Sequence, residues 1–241
     1  NYRVNKKQRY PVDCFKKNFT AIGVRKARLY VTACGLYEVK INGARVGNFV
    51  LAPGHTDYRK RIQYQTYDVT DLIKGGANII TAELADGWYR GSCGAWGLKN
   101  QYGTQTKLLA QLELTDAEGK ILRICTDKNW SWSNDGAVRI ADNKDRQIVD
   151  ARKKPSYSRV AREVKCKVVP TASNNVPLTE HERFANAEII TTPKGKTVLN
   201  FGQNVAGYIS FDINAKAGQV INLRFGEMLD KDGELTFKNI Q

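Results

Sequence analysis

The sequence predicts an all-β protein: an antiparallel β-sandwich, with a second β unit beginning after it. Three observations carry this. Apolar residues alternate with polar ones at period two. Turn signals recur about every ten residues, the spacing of sandwich strands. No stretch keeps an i, i+3, i+4, i+7 apolar pattern over three helical turns.

Taken in order, residues 27–33 place Leu29, Val31 and Ala33 on one face. In residues 36–41, Tyr37, Val39 and Ile41 share a face while Glu38 and Lys40 take the other. Asn42-Gly43 follows at once, and Asn-Gly between such runs marks a tight hairpin because both residues tolerate positive φ. One short helix is expected over 69–73, with Thr70 or Asp68 as its cap. Residues 79–85 read as a strand. Leu108, Ala110, Leu112 and Leu114 alternate, then a turn at 116–119 leads into a strand over 121–125. Trp130 and Trp132, two apart, lie on one side of a strand and read as core or interdomain residues. Pro170, Pro177 and Pro193 frame a polar stretch that reads as a boundary. The expected organisation is a sandwich over 12–170, a linker over 171–193 and a second β-domain over 194–241, with strands at 197–201, 207–213 and 219–225. Three strands are too few for a sandwich, so the second domain is expected to be cut short, with its remaining strands downstream.

Composition limits the function classes. At 241 residues and 41% hydrophobic, the chain is long and apolar enough for a real core. No run of about 18 apolar residues is present to span a membrane as a helix, and no secretory leader is visible at the start. The net charge is +14. Ten basic residues stand against two acidic ones in 1–40, and twelve against seven in 121–180. A nucleic-acid binder would also be basic, but the cations are scattered and no helix-turn-helix or RNA-binding signature accompanies them. Neither nucleic acid nor membrane is expected as a partner. The five cysteines include no Cys-x-x-Cys pair, so metal and redox motifs lack support. Reduced thiols slightly favour the cytoplasm.

Several ordered segments resemble the bacterial α-L-rhamnosidase family. They are Ala27-Arg28-Leu29-Tyr30-Val31-Thr32-Ala33; Leu51-Ala52-Pro53-Gly54-His55-Thr56-Asp57-Tyr58-Arg59-Lys60-Arg61; Tyr64-Gln65-Thr66-Tyr67-Asp68-Val69-Thr70-Asp71-Leu72; Asp86-Gly87-Trp88-Tyr89-Arg90-Gly91; Leu108-Leu109-Ala110-Gln111-Leu112; Phe201-Gly202-Gln203-Asn204-Val205-Ala206-Gly207; and Phe225-Gly226-Glu227-Met228-Leu229-Asp230. The resemblance implies a jelly-roll sandwich like a carbohydrate-binding module, then the start of a truncated concanavalin-like β-domain, with the catalytic (α/α)6 barrel absent. It implies a parent enzyme that hydrolyses terminal α-L-rhamnosides with inversion, through two carboxylates held in that barrel. No catalytic residue is therefore carried over. Asp57, Asp68, Asp71, Asp86 and Glu227 read as surface, capping and turn carboxylates.

On this reading the chain supports the missing catalytic domain, recognises a rhamnose-containing glycan, or both; a free-standing lectin-like module is the alternative. Sugar sites use aromatic faces against C–H patches and planar polar groups against hydroxyls. The richest cluster is Asp86, Trp88, Tyr89, Arg90, Trp96, Asn100 and Tyr102, in a glycine-dense stretch that reads as a long loop. The second candidate loop, 54–60, offers His55, Asp57 and Tyr58. Both could instead pack against the missing domain. Some family members bind rhamnose through calcium near this second loop. Here Arg59-Lys60 follows Asp57-Tyr58, and two cations disfavour calcium. No cofactor or metal site is expected.

Overall fold

The structure, a computed structural model, describes residues 10–94, 98–174, 176–185, 187–216 and 218–238. It divides into two compact units, Asn1–Glu180 and His181–Gln241.

In the first unit the strands are β1 (Asp13–Ala21), β2 (Val24–Cys34), β3 (Leu36–Ile41), β4 (Ala44–Arg45), β5 (Gln63–Asp68), β6 (Gly76–Ala85), β7 (Lys107–Asp116), β8 (Ile121–Cys125), β9 (Ser131–Ser133), β10 (Val138–Asp142), β11 (Arg146–Val149), β12 (Arg159–Val160) and β13 (Thr171–Ala172). Six form a sheet in the order β12-β9-β1-β6-β3-β4, and five form a second sheet in the order β13-β5-β2-β7-β8. The β10–β11 hairpin stands separately. The chain passes repeatedly from one sheet to the other, as a jelly roll does.

The period-two pattern explains why the sheets stack. Leu29, Val31, Leu112 and Leu114 from the five-stranded sheet meet Val39, Ile41, Ile80 and Leu84 from the six-stranded sheet in one continuous core. Leu29, Ile41 and Leu84 have no exposed surface, and each such side chain contributes about 1.5–3 kcal/mol by leaving water. Trp130 is buried in this core, with its indole N–H donating to Cys125 O at 3.0 Å. Trp132 is only partly buried, and it alone lies in β9; Trp130 sits in the turn just before the strand, so the two do not share one strand face as expected.

At the β3–β4 hairpin, Asn42 and Gly43 have φ of 52° and 86°, the two positive values a type I′ turn needs. Asn42 also ties the turn inward: its amide donates to Leu72 O and Asn78 Oδ1, and Ile79 N–H donates back to its Oδ1. The expected helix over 69–73 is one 3-10 turn, Thr70–Leu72. Asp68 Oδ1 accepts from both the Thr70 N–H and the Thr70 hydroxyl. One pairing departs from the antiparallel expectation. β13 joins β5 in parallel, because the chain reaches it by crossing over from β12 in the other sheet. β13 also places paired backbone inside the stretch read as a linker.

In the second unit, β14 (Glu188–Thr191) pairs antiparallel with β15 (Thr197–Asn200) across a turn closed by Thr192. The strands expected at 207–213 and 219–225 are absent. Their alternating residues, including Tyr208, Phe211, Ile221 and Phe225, remain exposed. A strand persists only when its backbone groups pair, and no partner strand faces these segments among the described residues. Near 224–237, order comes instead from Glu234, which accepts from Lys194 N–H at 2.8 Å, and from Arg224 lying 3.7 Å over the Phe237 ring. No helix among the described residues is long and apolar enough to cross a membrane.

Candidate functional site

The glycine-dense stretch after β6 does not run as a plain loop. It opens with one helical turn, α1 (Gly87–Arg90). Gly87 starts it with φ of +51°, and a Cβ there would lie 2.6 Å from Leu36 Cγ, so glycine is required. This single turn sends neighbouring side chains in different directions.

Asp86 and Arg90 turn inward. Arg90 Nε donates to Asp86 Oδ1 at 2.6 Å, and its Nη2 lies 3.5 Å from Asp13 Oδ2. The guanidinium also lies 4.9 Å over the Tyr10 ring. Asp13 in turn accepts from the Thr106 hydroxyl and, at 3.2 Å, from Trp132 Nε1–H. Both Asp86 and Arg90 are buried. Burial raises the Asp86 carboxyl above its ordinary range, and the Arg90 charge works against that rise. Two residues expected to face a sugar are thus engaged inside the fold. The i, i+4 spacing of Asp86 and Arg90 hinted at this pairing; nothing in the sequence pointed to Asp13. Asn100, held at φ of +57°, donates its backbone N–H to Arg90 O, and its side-chain Oδ1 is buried with no hydrogen-bond partner among the described residues.

Trp88, Tyr89 and Tyr102 turn to the other side, where the 54–60 loop meets them. The His55 ring stacks on Trp88 at 5.4 Å and meets Tyr102 edge-on at 6.1 Å. Tyr58 lies 5.2 Å from both Tyr89 and Tyr102. Its hydroxyl donates to Gly54 O at 2.9 Å, which fixes the loop. Beneath these rings sit Cys34, Ile62 and the side of Val168. Burial pushes the Cys34 thiol up to about 11 and the Tyr89 phenol up to about 12. The two loops that the sequence offered separately therefore form one cluster. Trp96 lies outside the described residues.

The accessible edge consists of His55, the partly exposed Trp88 and Tyr102, and Arg59, whose guanidinium lies 5.3 Å over the Tyr102 ring. His55 Nε2 is 3.4 Å from the Tyr102 hydroxyl and 3.8 Å from Cys93 Sγ, a neighbour the sequence reading missed. Asp57 is bound by its own neighbour: Arg59 donates from Nε at 2.8 Å and from Nη2 at 3.3 Å. The Arg59 hydrogen bond holds the Asp57 carboxyl below its ordinary range. Both carboxylate oxygens of Asp57 are thus engaged by Arg59, with Lys60 next along the loop. What the edge offers is aromatic surface, a phenol, an imidazole and a guanidinium, the groups that hold a sugar by its C–H patches and hydroxyls.

Comparison with known proteins gives two family matches. Residues 23–192 match the alpha-L-rhamnosidase N-terminal domain, and residues 190–241 match the bacterial alpha-L-rhamnosidase concanavalin-like domain. An alpha-L-rhamnosidase of Streptomyces avermitilis is 41% identical over 90% of this chain, and one of Formosa agariphila is 33% identical over 87%. The chain spans only 22% and 24% of those relatives' lengths. Among solved structures, the Streptomyces avermitilis alpha-L-rhamnosidase complexed with L-rhamnose matches 95% of this chain and 23% of its own, with a TM-score of 0.85 and 36% identity. The native rhamnosidase of Aspergillus terreus matches 84% of this chain and 25% of its own, with a TM-score of 0.76 and 33% identity.

Proposed function

We propose, since the chain belongs to the alpha-L-rhamnosidase N-terminal domain family, that it is a non-catalytic part of an enzyme hydrolysing terminal α-L-rhamnosides, and that it recognises the rhamnoside while supporting the catalytic domain. The observation that carries the recognition half is the meeting of two separate loops in one aromatic cluster, with His55, Trp88, Tyr102 and Arg59 at its accessible edge. Rhamnose is a 6-deoxy sugar, so its methyl group adds an apolar contact to a ring face. Tyr58 and Tyr89 hold the rings from below, and Asp86 and Arg90 hold the turn that carries them. Asn100 shapes the return of the loop. Calcium has no place in this reading, because Arg59 engages the Asp57 carboxylate. The domain division we propose is the sandwich over 12–170, a connecting stretch over 171–193 and a β-domain over 194–241.

The test is isothermal titration of the chain with L-rhamnose, with and without calcium. Saturable, calcium-independent binding that is lost in Trp88→Ala is the expected result. Absence of binding at millimolar sugar leaves support of the catalytic domain as the chain's role. Hydrolysis of an aryl rhamnoside by the chain alone would overturn the non-catalytic reading.

A further inference from the structure

The positive charge of the chain has a place in the fold that the sugar site does not use. Residues 152–167 carry Arg152, Lys153, Lys154, Arg159, Arg162, Lys165 and Lys167 against one acid, Glu163. All seven cations are exposed. Lys153, Lys154, Arg162, Lys165 and Lys167 form no ion pair with an acidic side chain among the described residues, whereas Arg152 pairs with Asp150 at 2.8 Å. Glu163 is occupied, accepting from Lys128 N–H at 3.1 Å.

From Arg159 to Thr171 the chain is a strap pinned at both ends. Arg159 and Val160 pair with Trp132 and Ser131 in the six-stranded sheet, and Ala161 N–H donates to Trp130 O at 2.7 Å. At the far end, Thr171 pairs with Gln63 in the five-stranded sheet and donates to Ile62 O at 2.9 Å. Between the pins the chain crosses from one sheet to the other, with Arg162, Lys165 and Lys167 outward. Just past Lys167, Val168 packs against the residues beneath the aromatic cluster. Arg159 sits in paired backbone, the turn carrying Arg152 to Lys154 is tied by Lys153 N–H to Asp150 O at 3.0 Å, and Arg162, Lys165 and Lys167 lie between two pinned points, so part of the ordering a ligand would require is already in place. A line of separated charges fits a linear polyanion better than a small acid, which would engage one of them.

We propose that residues 152–167 are a docking surface for a polyanionic polysaccharide, and that the strap leads this polymer to the aromatic cluster, so that the glycan recognised is acidic as well as rhamnose-bearing. The second half rests on the cluster being the sugar site; the first stands on the strap alone. Carboxylates along the polymer meet Lys153, Lys154, Arg162, Lys165 and Lys167, and the attraction is screened by salt.

The experiment is affinity electrophoresis of the whole chain in gels containing polygalacturonate, its methyl-esterified uncharged form, or duplex DNA. Retardation by polygalacturonate, none by the methyl ester, and at least tenfold weaker binding between 50 and 300 mM salt are expected. The variant Lys153→Glu, Lys154→Glu, Arg162→Glu should lose at least tenfold in affinity. The equally charged control Arg25→Glu, Lys26→Glu, Lys120→Glu, at exposed positions away from the strap, should lose less than threefold. No retardation, equal retardation by the methyl ester, or equal loss in both variants overturns the proposal. Tighter retention on DNA through the same three residues overturns it in favour of nucleic acid. Rhamnose titration of the strap variant separates the two claims: unchanged rhamnose affinity with lost polyuronate binding supports the strap, while polyuronate binding in a chain that never binds rhamnose leaves the strap standing and removes the sugar site.

Discussion

Asp86 and Arg90 on one side of a single helical turn, and Trp88 and Tyr89 on the other, come from the same five residues and serve opposite ends. The inward pair is closed off from water and answered by Asp13. Of the other pair, Tyr89 is buried in the floor of a ring cluster and Trp88 lies at its open edge. Composition alone does not separate them, since planar polar and aromatic groups make both sugar sites and buried networks. Partners separate them: every charge of the first set is answered inside the fold, and in the second set Trp88 keeps a face to offer.

The largest expected effect breaks the inward set. Arg90→Ala leaves Asp86 and Asp13 facing each other without their cation, and removing one partner of a buried pair costs about 3–5 kcal/mol. Urea denaturation should show that loss as a lower midpoint with an unchanged slope. A loss below about 1 kcal/mol would mean that water reaches the pair and that the division between the two sets is wrong.

The same contrast explains what the sequence could convey. Period-two alternation located β3 and β7 well, because one face of each is fully committed to the core. Asn42-Gly43 identified its hairpin because only positive φ closes that turn. The alternation at 207–213 and 219–225 was equally clean, yet no strands form there: the pattern states which face wants burial and says nothing about whether a partner is present. The candidate site was legible in its residue types and not in its orientation. Gly87, by starting a helical turn where a loop was expected, decides which side chains point outward, and its role depends on the distance to Leu36, which no local pattern encodes. Asp13 joins Arg90 from β1, the strand beside β6, far away along the chain, and its pairing is likewise invisible in sequence.

Stability should also fall at high pH, since the floor of the ring cluster holds groups whose ionisation burial opposes. The Cys34 thiol, at about 11, and the Tyr89 phenol, at about 12, are both raised above their ordinary values of 9.0 and 10.0. The unfolded chain therefore releases these protons first. Stability is fully present below about pH 9 and drains as pH rises through the folded-state values, by about 2–3 kcal/mol for the thiol. Thermal melts at pH 8, 9.5 and 11 should fall progressively, and Cys34→Ala should flatten the fall. An unchanged profile in that variant would show that the floor is wet.

The outward set should be separable from the fold. Trp88→Ala removes one face of the His55 stack and part of the packing above Tyr58, at a cost of about 1 kcal/mol, within the range for an aromatic pair. Rhamnose affinity should fall at least tenfold by titration while the urea midpoint moves little. A large stability loss with affinity intact would make Trp88 a packing residue like Arg90, and the two sides of the turn would no longer differ.

The smallest effect is expected at Arg59. Its ion pair with Asp57 lies at the surface, where such pairs contribute about 0–1 kcal/mol. Arg59→Ala should therefore leave the urea midpoint within error. The change still matters to the site, because it frees the Asp57 carboxylate and uncovers the Tyr102 ring. With Arg59 gone, Asp57 becomes available to a divalent cation, with Lys60 and Arg61 as the nearby positive charges along the loop. Rhamnose titration of this variant with and without calcium then bears on what Arg59 does. Calcium dependence that appears only in the variant would show that Arg59 holds the place a cation would otherwise take; calcium dependence already present in the unaltered chain would show that the Arg59–Asp57 pair opens when sugar binds.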